Sequence, residues 1–177
     1  MQHSPQAPNP TLADLNRMNA DDFVAALGSI FEHSPWVAER VAARRPFSSL
    51  DSLHGAMVEA MWAANDAEKL ALLRAHPQLA GKEAEAGTLT THSTSEQDSV
   101  GLTRLSAEEK ARIVQLNAAY LDKHGFPFII AVKLRTKAQI FAAFEQRIGN
   151  DRVIEFTTAL SEVGKIARIR LEALLGQ

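Results

Sequence analysis

Apolar residues recur along this chain every three to four positions between short polar interruptions, and that spacing predicts one helix after another. Asn19-Ala20-Asp21-Asp22 offers a capping side chain and acidic residues to the positive end of a helix carrying Phe23, Ala26, Leu27, Ile30 and Phe31. Ser34-Pro35 opens the next, with proline at the tolerated first position; it carries Trp36, Val37 and Val41 and stops before Pro46. A third is expected from about Leu50 to Ala64, burying Leu53, Met57, Met61 and Trp62. Asn65-Asp66-Ala67-Glu68 has the capping-box pattern and starts a short helix ending near Arg74. Ser106-Ala107-Glu108-Glu109 repeats that pattern for a helix lined by Ile113, Leu116, Ala119, Tyr120 and Leu121, which Gly125 closes in a left-handed conformation. Thr136 caps a helix to about Ile148, and a last long helix runs from about Asp151 to Leu174.

Two stretches do not fit this spacing. Residues 76–105 read as a long irregular interruption. Phe126-Pro127-Phe128-Ile129-Ile130-Ala131-Val132 is apolar throughout, yet no other segment alternates as a strand partner would, so a buried irregular or short helical element is expected. The fold class is therefore all-α: a single-domain helical bundle of about seven or more helices with an irregular active-site segment. Residues 1–10, polar and proline-rich, read as a flexible lead-in without the apolar core of a secretory signal, and 11–177 as the domain.

Composition narrows the chemistry. At 177 residues, with 46% hydrophobic and 23% charged, the chain suits one domain with a substantial core. A formal net charge of -2 without a basic stripe argues against a nucleic-acid partner. The absence of cysteine excludes disulfides, thiolate metal sites and a cysteine nucleophile. No run of about 18 apolar residues occurs, so no membrane span is expected. The last residues, Leu175-Gly176-Gln177, do not form a peroxisomal address, and cytoplasm is the expected setting.

Residues 76–97 gather an imidazole, a carboxylate, hydroxyls and a primary amide in the stretch expected to be irregular, where function often resides. The His76 imidazole can hold and release a proton near neutral pH, and Pro77 biases it towards extended backbone. The same residue also reads as a helix-end histidine meeting the dipole. Glu96 reads as a carboxylate that orients N–H groups or partners His76, or as the third helical residue after a Ser93 cap. Gln97 offers both a donor and an acceptor. The Arg170 fork suits a carboxylate or ring carbonyl, although in isolation it reads as an exposed arginine of a C-terminal helix.

Four blocks together identify a resemblance. They are His76-Pro77 with Leu79-Ala80-Gly81-Lys82; Ser93-Thr94-Ser95-Glu96-Gln97 with Gly101-Leu102; Gly125 to Val132; and Ile166-Ala167-Arg168-Ile169-Arg170-Leu171. In order and spacing the chain resembles the 2-oxo-4-hydroxy-4-carboxy-5-ureidoimidazoline (OHCU) decarboxylase family from about Leu12 to Leu175. The resemblance implies cofactor-free, metal-free loss of CO2 from OHCU, a small-molecule substrate, giving (S)-allantoin in urate breakdown. It makes His76 the proton donor and Glu96 its catalytic companion. Pro77, Ser93, Thr94, Ser95, Glu96, Gln97 and Arg170 would bind substrate, and so would the main chain of Phe128, Ile129, Ile130, Ala131 and Val132. It also suggests a homodimer, which no heptad or single apolar face in the sequence proves. Arg168 stands where many relatives are expected to carry histidine, which puts the surroundings of Arg170 in question.

Two other readings compete. A metal-dependent hydrolase would use His76, His92 and Glu96, although their spacing fits no zinc motif. A non-enzymatic helical regulator would rely on the cluster Arg40, Arg44 and Arg45. His3, His33, His54 and His124 show no ligand-like pattern.

Overall fold

Polar caps fix where the helices begin. Asn19, Asn65, Ser106 and Thr136 each accept a backbone N–H three residues on, from Asp22, Glu68, Glu109 and Gln139. In the last three the distal side chain also accepts the N–H of the cap, completing the reciprocal box. Thr11 and Asp14 form the same box at a first short helix that the apolar spacing does not predict.

The computed structural model describes residues 9–177, and among these residues the secondary structure is helical with no strand. The helices are α1 (Leu12–Arg17), α2 (Ala20–Leu27), α3 (Trp36–Val41), α4 (Leu50–Ala63), α5 (Asp66–Arg74), α6 (Lys82–Ala86), α7 (Thr91–Ser99), α8 (Ala107–His124), α9 (Lys137–Ile148) and α10 (Arg152–Leu175), with 3₁₀ turns at Ala42–Arg44 and Val132–Leu134. The all-α expectation holds. Helices α6 and α7 correct the expectation that 76–105 is irregular throughout. Most of the expected lead-in lies outside the described residues; Asn9 donates to the Ala173 carbonyl at 3.4 Å. No helix among the described residues is long and apolar enough to cross a membrane.

Residues 9–63 with Ala167–Gln177 form one compact unit, and Ala64–Ile166 form another. In the first, α3 packs on α2 and α4, burying Phe23, Leu27, Val37, Val41, Leu53, Met57 and Met61. Asn16 holds the backbone of Phe47 from both sides, donating to its carbonyl at 2.9 Å and accepting its N–H at 2.8 Å. Trp62, expected in the buried stripe of α4, is exposed. Leu53, Met57 and Met61 recur every four residues, and position 62 lies about 100° around the helix from that row. The arginines of the proposed recognition cluster are occupied within the unit. Arg40 lies over Trp36, Arg45 over Phe23, and Arg44 pairs with Glu59 at 2.9 Å.

In the second unit α8 packs against α9 over an aromatic core of Tyr120, Phe126, Phe128 and Phe144. The rings of Phe128 and Phe144 stack with centroids 3.9 Å apart. The buried face of α8 runs Ile113, Asn117, Tyr120, His124, while Ala119 and Leu121, expected inside, are exposed. Half of that face is polar, so a search for apolar residues alone assigns it wrongly. Gly125 closes α8 with φ of 76°, as expected.

Candidate active site

Helix α5 stops at Arg74 because Pro77 cannot extend it, and His76 emerges at its end. The His76 backbone N–H reaches the Leu73 carbonyl at 3.2 Å, and its ring Nδ1 lies 2.9 Å from the Leu72 carbonyl. A carbonyl only accepts, so Nδ1 carries the hydrogen. Nε2 is then the nitrogen whose protonation can change without breaking that bond. The ring binds a last-turn carbonyl, as a helix-end histidine would, but the residue is 8% exposed rather than at the surface.

The chain after Pro77 turns sharply. The Gly81 N–H reaches the Gln78 carbonyl at 3.3 Å, closing a turn with Leu79 and Ala80 at its centre. Ala80 has φ of 47°, the sign that a type II or I′ turn needs at its third position and that glycine normally supplies. An alanine held there costs about 1–2 kcal/mol. Its peptide groups are held firmly: the N–H donates to Gln97 Oε1 at 2.8 Å, and the carbonyl accepts from Lys110 Nζ at 2.6 Å. The Leu79 carbonyl accepts from Asn117 Nδ2 at 2.9 Å. Gly81 is required by close approach, since a Cβ there would lie 2.8 Å from the Gln78 Cβ.

Ser93-Thr94-Ser95-Glu96-Gln97 lies within α7, and Thr90, not Ser93, is its cap: Thr90 Oγ1 accepts the Ser93 N–H at 3.2 Å. Glu96 is accordingly mid-helix rather than a capping partner. Ser93 and Gln97, four residues apart, form the buried edge, with Glu96 half-buried beside them. Thr94 and Ser95 are exposed, and the Thr94 hydroxyl bonds back to the Thr90 carbonyl at 3.0 Å. Almost no apolar residue marks this helix, so its spacing carries no hydrophobic period. Packing against the Val132–Leu134 turn supplies its support.

Phe128 to Ala131 is buried and neither helix nor strand, as the sequence predicts, and Val132 opens a 3₁₀ turn. Its backbone groups find partners that the sequence reading misses. The Ile129 carbonyl accepts from Arg147 Nη1 at 2.8 Å, and the Ala131 N–H donates to Glu162 Oε2 at 2.8 Å. Arg147 also lies over the Phe128 ring, 4.5 Å from its centroid. Burial pushes the Glu155 carboxyl towards a higher pKa, but hydrogen bonds from Arg147, Tyr120 and Asn150 prevail and leave it below its ordinary value. Burial raises the Tyr120 phenol, and the hydrogen bond it donates to Glu155 raises it further. A signal for these residues exists in the sequence: Arg147 follows Ile140 and Phe144 at helical spacing, and Glu155 and Glu162 flank Ala159.

Arg170 lies in the first unit, 3% exposed, with its Nη1 2.8 Å from Glu32 Oε2 and within 3.5 Å of the Ser29 and Ile30 carbonyls. It is therefore not the exposed helix arginine of the plainer reading. Arg168 bonds Asp51 and, at 2.7 Å, Glu172. Among the described residues no three histidine, aspartate or glutamate side chains are grouped to hold a metal ion, so His76, His92 and Glu96 do not form a ligand set.

The sequence is 46% identical over 161 residues to the OHCU decarboxylase of Haloferax volcanii, covering 91% of this chain and 94% of that protein. It is 44% identical to the uric acid degradation bifunctional protein PucL of Bacillus subtilis (strain 168), covering 93% of this chain but 33% of that one. The chain thus spans about a third of the length of the bifunctional relatives it matches. The fold is similar to a crystal structure of (S)-allantoin synthase, with a TM-score of 0.76 and 32% identity over 94% of this chain and 54% of that chain. The family model for OHCU decarboxylase matches residues 16–172, and on that match this chain belongs to the OHCU decarboxylase family.

Proposed function

We propose that the chain is a carboxy-lyase that removes CO2 from OHCU and delivers one proton stereospecifically, giving (S)-allantoin. The carbon–carboxylate bond breaks, CO2 leaves, and the electron pair passes into the substrate's adjacent C=N group, so the substrate acts as its own electron sink. What the protein supplies is position and a proton. The observation that carries the reading is His76: its Nδ1 is held on the Leu72 carbonyl, which makes Nε2 the nitrogen proposed to exchange the proton at the end of α5.

Glu96 is proposed to orient the ureido and ring N–H groups or to partner His76. Gln97 uses its carbonyl oxygen on Ala80, so its amide NH2 is the group proposed for substrate. Ile129 O and Ala131 N are engaged by Arg147 and Glu162, and the Ala131 and Val132 carbonyls by the N–H groups of Leu134 and Arg135, which narrows the proposed main-chain contacts to Phe128, Ile130 and the N–H groups of Ile129 and Val132. Arg170 is proposed, from the family resemblance, to orient a carboxylate or ring carbonyl. Glu32 already balances its charge, which suits orientation without over-stabilising the carboxylate that must leave. A second copy of the chain is the proposed partner and the cytoplasm the proposed setting.

The test supplies freshly generated OHCU and follows allantoin chirality against the spontaneous reaction. Faster loss of OHCU with (S)-allantoin accumulating supports the proposal, and racemic product at the uncatalysed rate ends it. His76→Asn is expected to abolish turnover with the fold intact.

A further inference from the structure

Two carbonyls in the loop that follows His76 are held by side chains of α8 that neither the helical spacing nor the four family blocks single out. Lys110 Nζ is 2.6 Å from the Ala80 carbonyl and 2.9 Å from Glu85 Oε1, so it ties the loop to α6 as well. Asn117, 5% exposed, donates to the Leu79 carbonyl at 2.9 Å. Together with Gln97, which holds the Ala80 N–H, these residues grip the two central peptides of the turn.

The grip matters because the turn opposes it. Ala80 at φ of 47° is under steric pressure to leave the left-handed region, and an alanine there persists only where its surroundings fix it. Two further features show that the turn is built for this shape. Gly81 admits the close approach of Gln78, and Ala80 is buried, with 3% of its surface exposed. If Ala80 relaxed, the peptides from Pro77 to Gly81 would rotate and His76 would leave its alignment on Leu72.

We propose that Lys110 and Asn117 are positioning residues for the reaction: by holding the carbonyls of Ala80 and Leu79 they keep the turn left-handed and His76 aligned. The inference rests on the reading of His76 as proton donor. Neither residue touches the reacting atoms; both act through the loop.

The test measures kcat and KM on the full chain with freshly generated OHCU, together with amide hydrogen exchange at Ala80 by NMR. The variants are Lys110→Met, Ala80→Gly and the two combined. Lys110→Met keeps the stem and loses the ammonium; kcat is expected to fall about tenfold with KM changed by less than about twofold. Ala80 exchange is expected to quicken. Adding Ala80→Gly is expected to recover most of the lost kcat, because glycine occupies the left-handed region without steric cost. A merely stabilising lysine predicts no such rescue. An unchanged kcat in Lys110→Met, or a double variant no faster than the single one, overturns the proposal. Should Lys110→Met not fold, Asn117→Ser is expected to show the same kcat loss and rescue, and its failure to do so overturns the proposal equally. If wild-type protein does not accelerate loss of OHCU, the decarboxylase reading falls, and Ala80 exchange then judges the turn: unchanged protection in Lys110→Met overturns it.

Discussion

Arg147 grips Glu155 in the interior of the second unit, with Nε 3.2 and 3.0 Å from the two carboxylate oxygens and Nη2 2.9 Å from one of them. Tyr120 and Asn150 complete the carboxylate's shell, and Arg147 spends its remaining nitrogen on the Ile129 carbonyl. One arginine therefore joins a buried charge to the backbone of the segment proposed to meet substrate. Arg147→Ala leaves Glu155 buried without its counter-charge and is expected to destabilise by about 3–5 kcal/mol. Chemical denaturation checks this, and a midpoint within error of wild type would contradict it.

Arg170 and Glu32 form the corresponding buried pair in the first unit, 3% and 1% exposed at the side chain. Arg170→Met is expected to lose about 3–5 kcal/mol for the same reason, whatever it does to KM. Combining it with Glu32→Leu removes the orphaned charge and should recover much of the loss, read as a rise in Tm over the single variant.

His124 is fully buried, and neither ring nitrogen has a hydrogen-bond partner among the described residues. Burial pulls its pKa below the ordinary histidine value, outweighing the nearby Glu155 charge, which raises it. The unfolded chain then binds a proton that the folded one refuses. Stability from this residue is complete above the unfolded pKa near 6.5 and is lost as pH falls from there through the lower folded value. Unfolding free energy measured at pH 8 and pH 5 should show that loss, and His124→Phe should flatten it.

Gly81→Ala would place a Cβ 2.8 Å from the Gln78 Cβ. The turn must open to admit it, at a cost of about 1–3 kcal/mol, and His76 moves with it. Activity on OHCU is expected to fall with stability, and a Gly81→Ala enzyme with wild-type kcat would show that the turn does not position the imidazole.

Arg168 holds Asp51 and Glu172 at the surface, where such pairs contribute little. Arg168→His is expected to change stability by less than about 1 kcal/mol, as thermal unfolding would report.

Where a helix announces itself by a cap and an apolar stripe, reading the residues in order is enough, as at Asn65 for α5 or Ser106 for α8. Helix α7 shows where that reading stops. Thr-His-Ser-Thr-Ser-Glu-Gln-Asp-Ser has no apolar period, so it passes for loop until its buried edge, Ser93 and Gln97, finds the 3₁₀ turn and Ala80. Trp62 errs in the opposite direction, an aromatic residue that composition puts inside and helix geometry turns outwards.

Local sequence alone determines the all-α class, most helix limits, the irregular buried run from Phe128, and the four blocks that mark the family, because caps, turns and helical period are local properties. Tertiary structure decides what each polar group does. It binds Glu32 to Arg170 across a long stretch of chain, and holds Ala80 left-handed between Gln97 and Lys110. Those contacts join residues distant in sequence, and burial makes an unpaired polar group costly enough for the fold to choose its partners.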